Sequence, residues 1–288
     1  MKAKEFVSVI SFWERVSFVL GKLVERVIRH KPERYVRLLN FQLFITGAEH
    51  LGFDFKSSSD FYILNQKSRS IYLRKDSSDK DVFEQVFIRG EYQTLFKMLQ
   101  INGIRINSVI DAGANIGLFT LQLKALFPES VILSIEPDPG NFQILKRNIQ
   151  TLQQPENIRL VNKALWFTDG KVYLNNSFRD GKEWAISVSD NKEEATDAVD
   201  AITVSSLMKE HKMDVVDLFK IDIEGAESEI FRDDRDLLFL KKVKCLVLEI
   251  HDEFNSRERI YKILRSNNFM LFDSFEYTIG LNAEYFAS

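Results

Sequence analysis

A short segment near the middle of the chain combines an acidic residue, two glycines and an asparagine in a pattern that can hold a ligand. It reads Asp111-Ala112-Gly113-Ala114-Asn115-Ile116-Gly117, and it follows an apolar run and precedes an amphipathic stretch. Glycines at such a strand-to-helix turn let the backbone turn tightly and approach a ligand closely. The segment predicts a binding loop, although a glycine-rich turn alone does not identify the ligand.

A carboxylate about 20 residues beyond this loop narrows the choice of ligand. Glu136 ends the next predicted strand, where its two oxygens can accept hydrogen bonds from both hydroxyls of a ribose. The loop itself begins with Asp111, whose negative charge disfavours a pyrophosphate but tolerates the sulfonium and ammonium groups of S-adenosylmethionine (SAM). We therefore expect SAM, with a nicotinamide-dependent oxidoreductase as the alternative.

Polar side chains also follow two later apolar runs that should be neighbouring strands. They are Asp222, Glu224 and Glu227 after the fourth predicted strand, and Glu249, His251 and Asp252 after the fifth. Ligands of open α/β sheets bind at the carboxyl ends of the strands, so these groups are candidates for the reaction centre.

Methyl transfer from a sulfonium is an in-line displacement that needs alignment and removal of a hydroxyl proton. Alignment supplies roughly 7 to 11 kcal/mol at best, and a general base adds on the order of 10² to 10⁴ fold. His251 is the first choice for the base because its pKa is ordinarily near neutrality, with Glu249 orienting it. Asp222 is the second choice.

The acidic residues also suggest a metal. Asp222, Glu249 and Asp252 could supply oxygen ligands to Mg²⁺. This metal site is an alternative, and none of the three is assigned as a metal ligand. Glu227 is expected to be structural, accepting hydrogen bonds at a helix N-terminus. Lys220, flanked by apolar residues, is either paired structurally or reaches the substrate.

Short apolar runs alternate with helical stretches from Ser108 onward, which predicts a parallel sheet covered by helices. The predicted strands cover residues 107–111, 130–136, 158–162, 215–222, 243–250, 269–273 and 277–281. Helices are predicted at 116–127, 139–151, 226–240 and 256–266. The closing hairpin suggests that the last strand is antiparallel. The polar stretch from Lys171 to Asp200 fits no element of this pattern.

Residues 1–80 are predicted to form a helical and mixed extension, and residues 81–288 the catalytic domain. One or two amphipathic helices cover residues 1–50, with a break at Lys31-Pro32. Charged residues interrupt the apolar N-terminal run too often for it to span a bilayer. Its helical spacing favours packing on this protein or on a second subunit over binding at a membrane surface. A homodimer through these helices is therefore one expectation.

Composition indicates which partners and which location to expect. The 288 residues carry a formal net charge of -3, with both signs scattered, which disfavours a nucleic-acid partner. The single cysteine, Cys245, lies in an apolar run and reads as a buried hydrophobe, so the chain has no disulfide framework and a cytoplasmic location is expected. His30, His50 and His211 lack acidic clusters and are expected to be structural or at the surface.

The segments just described resemble the FkbM family of methyltransferases, from Gly90-Glu91-Tyr92 to Glu249-Ile250-His251. The most specific stretch is Phe219-Lys220-Ile221-Asp222-Ile223-Glu224-Gly225-Ala226-Glu227, and the others are the loop at Asp111, Glu136-Pro137-Asp138-Pro139 and Asn148-Ile149. The resemblance covers about two thirds of the chain. It implies a class I Rossmann-like fold with a seven-stranded sheet and helices on both faces, SAM as methyl donor, and O-methylation of a sugar, glycan or polyketide-like metabolite.

The resemblance also implies a cofactor site. Gly90, Glu91 and Tyr92 would lie over the methionine end of SAM, and Asn162 and Ala164 would border the adenine. Pro137 belongs to the same motif as Glu136, and Asn141 is a weaker candidate.

Two further functions stay open. An N-methyltransferase would need no strong base if its amine arrives neutral. A non-catalytic SAM-binding scaffold would use residues 1–80 for association.

Overall fold

The computed structural model describes residues 10–28, 31–175, 187–189 and 197–286. The chain divides into two compact units, residues 1–89 and 90–288. The first nine residues, His30 and most of the stretch from Lys171 to Asp200 lie outside the described residues. The predicted boundary near residue 80 stays a prediction.

The first unit combines helices with a small antiparallel sheet. In chain order its elements are α1 (Phe12–Ile28), α2 (Glu33–His50), β1 (Asp54–Ser57), β2 (Phe61–Gln66), β3 (Arg69–Arg74), α3 (Asp79–Phe83) and a π-helical segment (Glu84–Arg89). The strands pair in the order β1-β2-β3. Of the one or two N-terminal helices predicted, the structure has two, since α1 ends before Pro32 and α2 begins after it.

Aromatic side chains form the core of the first unit. Phe44 and Phe83 are almost fully buried, and their ring centroids lie 5.8 Å apart with the rings edge to face. Phe55 completes the group at 6.1 Å from Phe44. Such edge-to-face pairs are favourable beyond the area they bury, so this small unit has a core of its own.

The second unit is built on a mixed sheet. Its described elements, in chain order, are α4 (Gln93–Ile101), β4 (Ser108–Ala112), α5 (Leu118–Leu126), β5 (Val131–Ile135), α6 (Pro139–Ile149), β6 (Ile158–Val161), β7 (Ala164–Leu165), β8 (Gly170–Asn175), β9 (Ser187–Ser189), β10 (Asp197–Ile202), α7 (Val204–Glu210), β11 (Val216–Ile221), α8 (Glu227–Ile230), β12 (Val243–Glu249), α9 (Arg257–Ser266), β13 (Phe269–Ser274) and β14 (Tyr277–Asn282). In the described part of the chain, seven of these strands form one sheet in the order β13-β14-β12-β11-β4-β5-β6.

The predicted fold class is confirmed. Strands β12, β11, β4, β5 and β6 are parallel, and β14 is antiparallel to both of its neighbours, as expected for the closing hairpin. All six residues of β11 are buried, as in parallel sheets that are covered by helices on both faces. The carboxyl ends of the parallel strands therefore meet the start of β14 at one edge of the sheet.

The buried carboxylate of Asp217 fixes the opposite edge of the sheet. It accepts hydrogen bonds from the backbone N–H groups of Asn107 and Ser108, at 2.7 and 3.0 Å, and pairs with Lys244 at 2.7 Å. These bonds hold β4 beside β11, which places the ends of both strands at the same level.

The predicted helix over residues 226–240 is wrong over most of its length. Only α8 (Glu227–Ile230) is helical, and a 3₁₀ helix (Leu238–Lys242) leads into β12. The intervening residues are charged, and they bond locally, as in the bond from the Leu238 N–H to Asp236 Oδ1 at 3.0 Å. Aspartates compete with helical hydrogen bonds in this way, so the segment turns instead of continuing the helix.

The described ends of the stretch from Lys171 to Asp200 are strands. Strands β7, β10, β8 and β9 form a second, four-stranded sheet in that order. The stretch from Lys171 to Asp200 is polar, so the sequence analysis did not predict these strands.

Among the described residues, none of the helices is both long enough and apolar enough to cross a membrane.

Candidate active site

The glycines of the predicted binding loop are required by packing. Gly113 and Gly117 have φ values of +75° and +87°, which disfavour other residues. A Cβ on Gly113 would overlap the backbone carbonyl oxygen of Asp222, and one on Gly117 would lie 2.6 Å from Leu145. The loop is thus pressed against the end of β11 on one side and against α6 on the other.

Glu136 organises the far side of the loop. Its carboxylate is almost fully buried and accepts hydrogen bonds from the N–H groups of Asn115, at 2.8 Å, and Asp138, at 2.9 Å. Burial raises the pKa of Glu136 to about 7, although the two backbone N–H groups oppose the shift. Each carboxylate oxygen has more than one lone pair, so each can accept a further hydrogen bond from a ligand.

The other residues predicted to border the cofactor hold the backbone around Glu136. The side-chain amide of Asn162 donates to the carbonyl oxygens of Glu136 and Pro137, at 2.8 and 3.0 Å. Asn141 is buried in the first turn of α6, where its N–H donates to Asp138 at 2.7 Å. Ala164 is buried in the core of the second sheet. Direct contact of these residues with a cofactor stays a prediction.

Lys220 lies beneath the loop and is paired, which favours the structural alternative for this residue. Its buried ammonium donates to the carbonyl oxygen of Gly113 at 2.8 Å and lies 3.1 Å from Asp222 and 3.6 Å from Asp111. Burial alone would lower the pKa of Lys220, but the carboxylate of Asp222 and the other nearby acidic groups raise it well above its usual value. Lys220 therefore stays charged and ties the loop to β11.

Asp111 lies inside the protein in this arrangement. It is fully buried, accepts a hydrogen bond from Thr120 at 2.6 Å, and its pKa is raised mainly by burial. These contacts place it below the loop beside Lys220, so its predicted contact with the cofactor is untested.

His251 is enclosed by carboxylates. Its Nδ1 lies 2.8 Å from Glu227, its Nε2 lies 3.2 Å from Glu224, and its backbone N–H donates to Glu227 at 2.9 Å. Burial alone would lower the pKa of His251, but the hydrogen bonds that its ring donates to Glu224 and Glu227, together with the charges of these carboxylates, raise it to about 11. The ring is an imidazolium at neutral pH, and an imidazolium has no lone pair with which to take up a proton.

Glu227 has the structural role expected of it, though through different partners. It is fully buried and accepts from the backbone N–H of Gly225 at 2.9 Å as well as from His251. It thereby joins the loop after β11 to the end of β12.

Asp222 and Glu249 form a carboxyl pair at the mouth of the site. Burial, followed by the charge of Asp222, raises the pKa of Glu249 to about 9, so Glu249 is protonated at neutral pH. Burial would also raise the pKa of Asp222, but Lys220 and His251 outweigh it and hold that pKa below its ordinary value. The pair thus holds one proton and one negative charge. Its side chains are 22% and 19% exposed, so a ligand can reach both.

The ligand set expected for Mg²⁺ gains no support. The carboxylate of Asp252 is 68% exposed and pairs with Arg257 at 2.6 Å. The groups that do converge are Asp222, Glu224 and His251, whose ligand atoms lie within 4.8 Å of one another. An imidazole nitrogen is not among the oxygen ligands that Mg²⁺ prefers.

The structure adds Tyr277, which the sequence analysis missed, to the predicted residue Tyr92. Both are buried, their hydroxyl groups lie 2.7 Å apart, and burial raises the pKa of each well above its usual value. Tyr277 stands opposite Glu249 in the antiparallel register, and the charge of Glu91 acts on both tyrosines. The predicted antiparallel last strand was the signal that could have located Tyr277.

Of the remaining cysteine and histidine residues, the structure describes Cys245, His50 and His211. Cys245 is buried, which raises the pKa of its thiol to about 12, as expected for a core residue. His50 is exposed in the first unit, and His211 is half-buried at the end of α7.

Replacement of Gly113 by alanine should be far more destabilising than an equivalent change elsewhere. Gly113→Ala adds a methyl group that overlaps the Asp222 carbonyl, whereas Gly103, also at positive φ (+62°), has open space around it. We expect Gly103→Ala to lower the free energy of unfolding by about 1 kcal/mol and Gly113→Ala by about 3 kcal/mol or more, measured by urea denaturation. Equal losses would show that the loop can move away from β11.

The protonation state of His251 can be measured directly by NMR of the imidazole ring. With a pKa of about 11, the ring should not titrate near pH 6.5, where a free imidazole does. The stability contributed by its ion pairs should be complete below pH about 6.5 and be lost as the pH rises through about 11. Glu227→Gln should lower this pKa, and titration of the wild-type ring near neutrality would contradict the assignment.

The chain is similar in sequence to known methyltransferases. The methyltransferase FkbM domain matches residues 111–271, which include the loop, Glu136, both acidic clusters and His251. Methyltransferase 1 of Beauveria bassiana is 28% identical over 142 residues, 43% of this chain and 57% of that protein. Methyltransferase sdnD of Sordaria araneosa is 26% identical over 189 residues, 56% of this chain and 73% of that protein.

The solved structures have lower sequence identity to this chain. A precorrin-6y C5,15-methyltransferase from Geobacter metallireducens is 13% identical with a TM-score of 0.38, over 66% of this chain and 87% of that one. A methyltransferase from Geobacter sulfurreducens is also 13% identical, with a TM-score of 0.37, over 66% of this chain and 76% of that one. Scores of this size say nothing about the site. The domain match covers more than half of the 288 residues, and the chain therefore belongs to the FkbM family of methyltransferases.

Proposed function

We propose that this chain moves the methyl group of SAM to a hydroxyl group of a sugar, a glycan or a secondary metabolite. The observation that carries the proposal is the carboxyl pair of Asp222 and Glu249, which is partly exposed beside the binding loop and holds a single proton. A pair of this kind can accept a hydrogen bond from an incoming hydroxyl group and later its proton.

The residues around Glu136 fit the adenosyl part of SAM. The carboxylate is held by two backbone N–H groups and retains one acceptor position on each oxygen, which matches the two hydroxyls of a ribose. A group that donates two hydrogen bonds would also stabilise the ionised form of this buried carboxylate.

The charge of the site fits a cation. Asp222 and Asp111 lie beside the ammonium of Lys220, and Glu224 and Glu227 lie beside the imidazolium of His251, so these four carboxylates surround two cations. This arrangement favours a ligand with positive charges and opposes a pyrophosphate. For the same reason a nicotinamide-dependent oxidoreductase is the weaker interpretation.

SAM, when bound, supplies an electrophilic methyl group on a positively charged sulfur. The acceptor hydroxyl is oriented by a hydrogen bond to the ionised member of the carboxyl pair, Asp222. When the hydroxyl oxygen takes the methyl group, the bond between that group and the sulfur would break to leave S-adenosylhomocysteine, and the hydroxyl proton would pass to the ionised Asp222. Glu249, which is already protonated, keeps its own proton. Orientation supplies most of the rate, because a carboxylate with a lowered pKa is a weak base.

In this proposal His251 positions other groups and does not act as the base. Its imidazolium holds Glu224 and Glu227 in place and keeps the pKa of Asp222 low. The earlier prediction that His251 accepts the proton stays untested, but its two carboxylate partners favour the cationic role.

Two other functions stay open as alternatives. An N-methyltransferase would need no proton acceptor at Asp222, and a SAM-binding scaffold would bind the cofactor without turnover. The cytoplasmic location, the absence of a nucleic-acid partner and the homodimer remain predictions.

Glu136→Gln should weaken binding of S-adenosylhomocysteine by about tenfold or more, because hydrogen bonds to a charged group are replaced by weaker ones. In the wild type the affinity should rise as the pH passes through about 7, where the carboxylate ionises, and the variant should show no such rise. Titration calorimetry measures both, with exposed Glu129→Gln as the control. Unchanged affinity in Glu136→Gln would remove this residue from the cofactor site.

Asp222→Asn should lower turnover on a hydroxyl acceptor by on the order of 10² to 10⁴ fold, a larger loss than the loss of affinity for S-adenosylhomocysteine. The acceptor is found by incubating the protein with radiolabelled SAM and a panel of sugars and hydroxylated metabolites. Mass spectrometry of the product then shows whether oxygen or nitrogen carries the methyl group. Asp234→Asn, at a side chain that is 59% exposed, is the control, and normal turnover in Asp222→Asn would place the reaction centre elsewhere.

A further inference from the structure

Helix α1 presents a continuous apolar face to solvent. At about 100° per residue, its exposed large apolar side chains span an arc of about 120° on one side of the helix. Five members of this arc are more than half exposed: Phe12 (67%), Trp13 (70%), Val19 (59%), Leu20 (55%) and Leu23 (54%). Scattered apolar side chains are normal at a surface, but an aligned row of this size marks a binding surface.

The other side of α1 is the one that packs on α2. Phe18 lies 5.4 Å from the ring of Tyr35, whose hydroxyl donates to Glu25 at 2.9 Å. Tyr35 itself is only 4% exposed. The helix is therefore already anchored to its own unit, and the exposed face is not its internal packing surface.

Positive charges border the apolar face along one edge. Arg15, Lys22 and Arg26 fall within about 40° of one another around α1, beside the apolar arc, and all three are exposed. The two acidic residues of α1 lie on the α2 side, since Glu25 bonds Tyr35 and Glu14 lines a neighbouring cavity. An apolar face with a basic edge is typical of helices that lie in a membrane surface.

A cationic cavity lies at the N-terminal end of the same helix. It has a volume of about 370 Å³. Its charged lining consists of Arg34, Arg37, Lys75 and Lys80, with Glu14 the one carboxylate among the lining residues. Ile10 and Glu14 line the cavity, and in the sequence they lie on either side of Phe12 and Trp13.

The two arginines of this cavity are suited to hold an anion. Lys80 is paired with Asp81 and Glu84, and Lys75 donates to the Ser58 carbonyl. By contrast, Arg34 and Arg37 have no close ion pair or hydrogen bond among the described residues, and the one carboxylate on which the charge of Arg34 acts is Glu14 in the same cavity. Both also stand near the N-terminus of α2, where the helix dipole makes positive charge unfavourable unless an anion is present.

We propose that the first unit docks on an anionic phospholipid surface, with the face of α1 among the acyl chains and a lipid phosphate in the cationic cavity. Arginine is suited to this because its planar fork binds phosphate oxygens in pairs. A second copy of the chain is a poorer occupant. Two copies of α1 packed antiparallel would place their basic edges side by side, with no acidic residue of α1 to offset them. This docking is independent of the chemistry proposed for the second unit.

The test is co-sedimentation of the full chain with vesicles of phosphatidylcholine alone and of phosphatidylcholine mixed with phosphatidylserine. We expect binding to the mixed vesicles that falls as salt is raised. Arg34→Gln with Arg37→Gln should weaken it by about fivefold for each charge removed, while the exposed Lys56→Gln should change it much less. Trp13→Ser should weaken it by about tenfold, and Leu43→Ser, at a side chain 59% exposed on α2, should leave it unchanged.

Circular dichroism and thermal unfolding of each variant show whether the fold is intact, so the result does not depend on the methyltransferase proposal. Equal binding to both kinds of vesicle, or binding unaffected by the arginine changes, would overturn the role of the anionic phosphate. Absence of vesicle binding together with a dimer in light scattering that Trp13→Ser dissociates would assign the face to a second copy. Absence of both would leave the apolar face without a membrane role and overturn the proposal.

Discussion

The ammonium group of Lys220 lies buried where the ends of β4 and β11 meet, and it bonds to both. It donates to the carbonyl of Gly113 in the loop after β4 and faces Asp222 just after β11, with Asp111 at its other side. An isolated charge in this position would be strongly unfavourable, so its partners are fixed by the need to surround it. The loop and the carboxylate of Asp222 are therefore held close together by one cation. Loss of either carboxylate would leave that cation poorly compensated, which couples the stability of the sheet edge to the integrity of the site.

The same electrostatic logic orders the rest of the site. Carboxylates outnumber cations here, and the structure resolves the excess by keeping Glu249 protonated and His251 charged. Neither state is the one the residue has in water, and each exists because its neighbours are held too close to relax away. A family of methyltransferases uses a positively charged methyl donor in the usual class I chemistry, and a site with residual negative charge is complementary to such a donor. Tyr92 and Tyr277 close the site from the side of β14 with hydroxyl groups that burial keeps neutral.

Helix α1 shows how one periodicity can serve two surfaces. Its apolar residues recur at helical spacing, which by itself fits packing on a core, on a partner or on a membrane. In the folded chain a narrow side with Phe18 contacts α2, and the wide apolar side stays exposed with a basic edge. The proposed docking on an anionic membrane rests on the charge of that edge, which a core would leave without a counterion.

What the sequence determined by itself was local. The glycine loop, Glu136 and the polar groups after β11 and β12 could be placed because each depends on a strand end and on residues within one turn of it. The antiparallel last strand followed from a short closing hairpin, and the break at Pro32 from the missing N–H of proline. The prediction that these groups lie close together needed only the rule that the carboxyl ends of parallel strands meet at one edge of the sheet.

The tertiary structure decided the protonation states and contacts that depend on residues far apart in the sequence. The charge of His251 could not be read from its neighbours in the chain, since Glu224 and Glu227 reach it across the gap between two strands. Tyr277 enters the site only through the register of β14, and Asp111 leaves the loop surface because Lys220 and Thr120 draw it inward. The predicted helix after Glu227 ends early for a similar reason. The charged residues that follow form local hydrogen bonds, and Phe231 is buried. Both compete with the helix that the sequence pattern predicts. Protonation states, registers and competing contacts are set by free energies summed over the folded neighbourhood, and a linear sequence shows the participants without their distances.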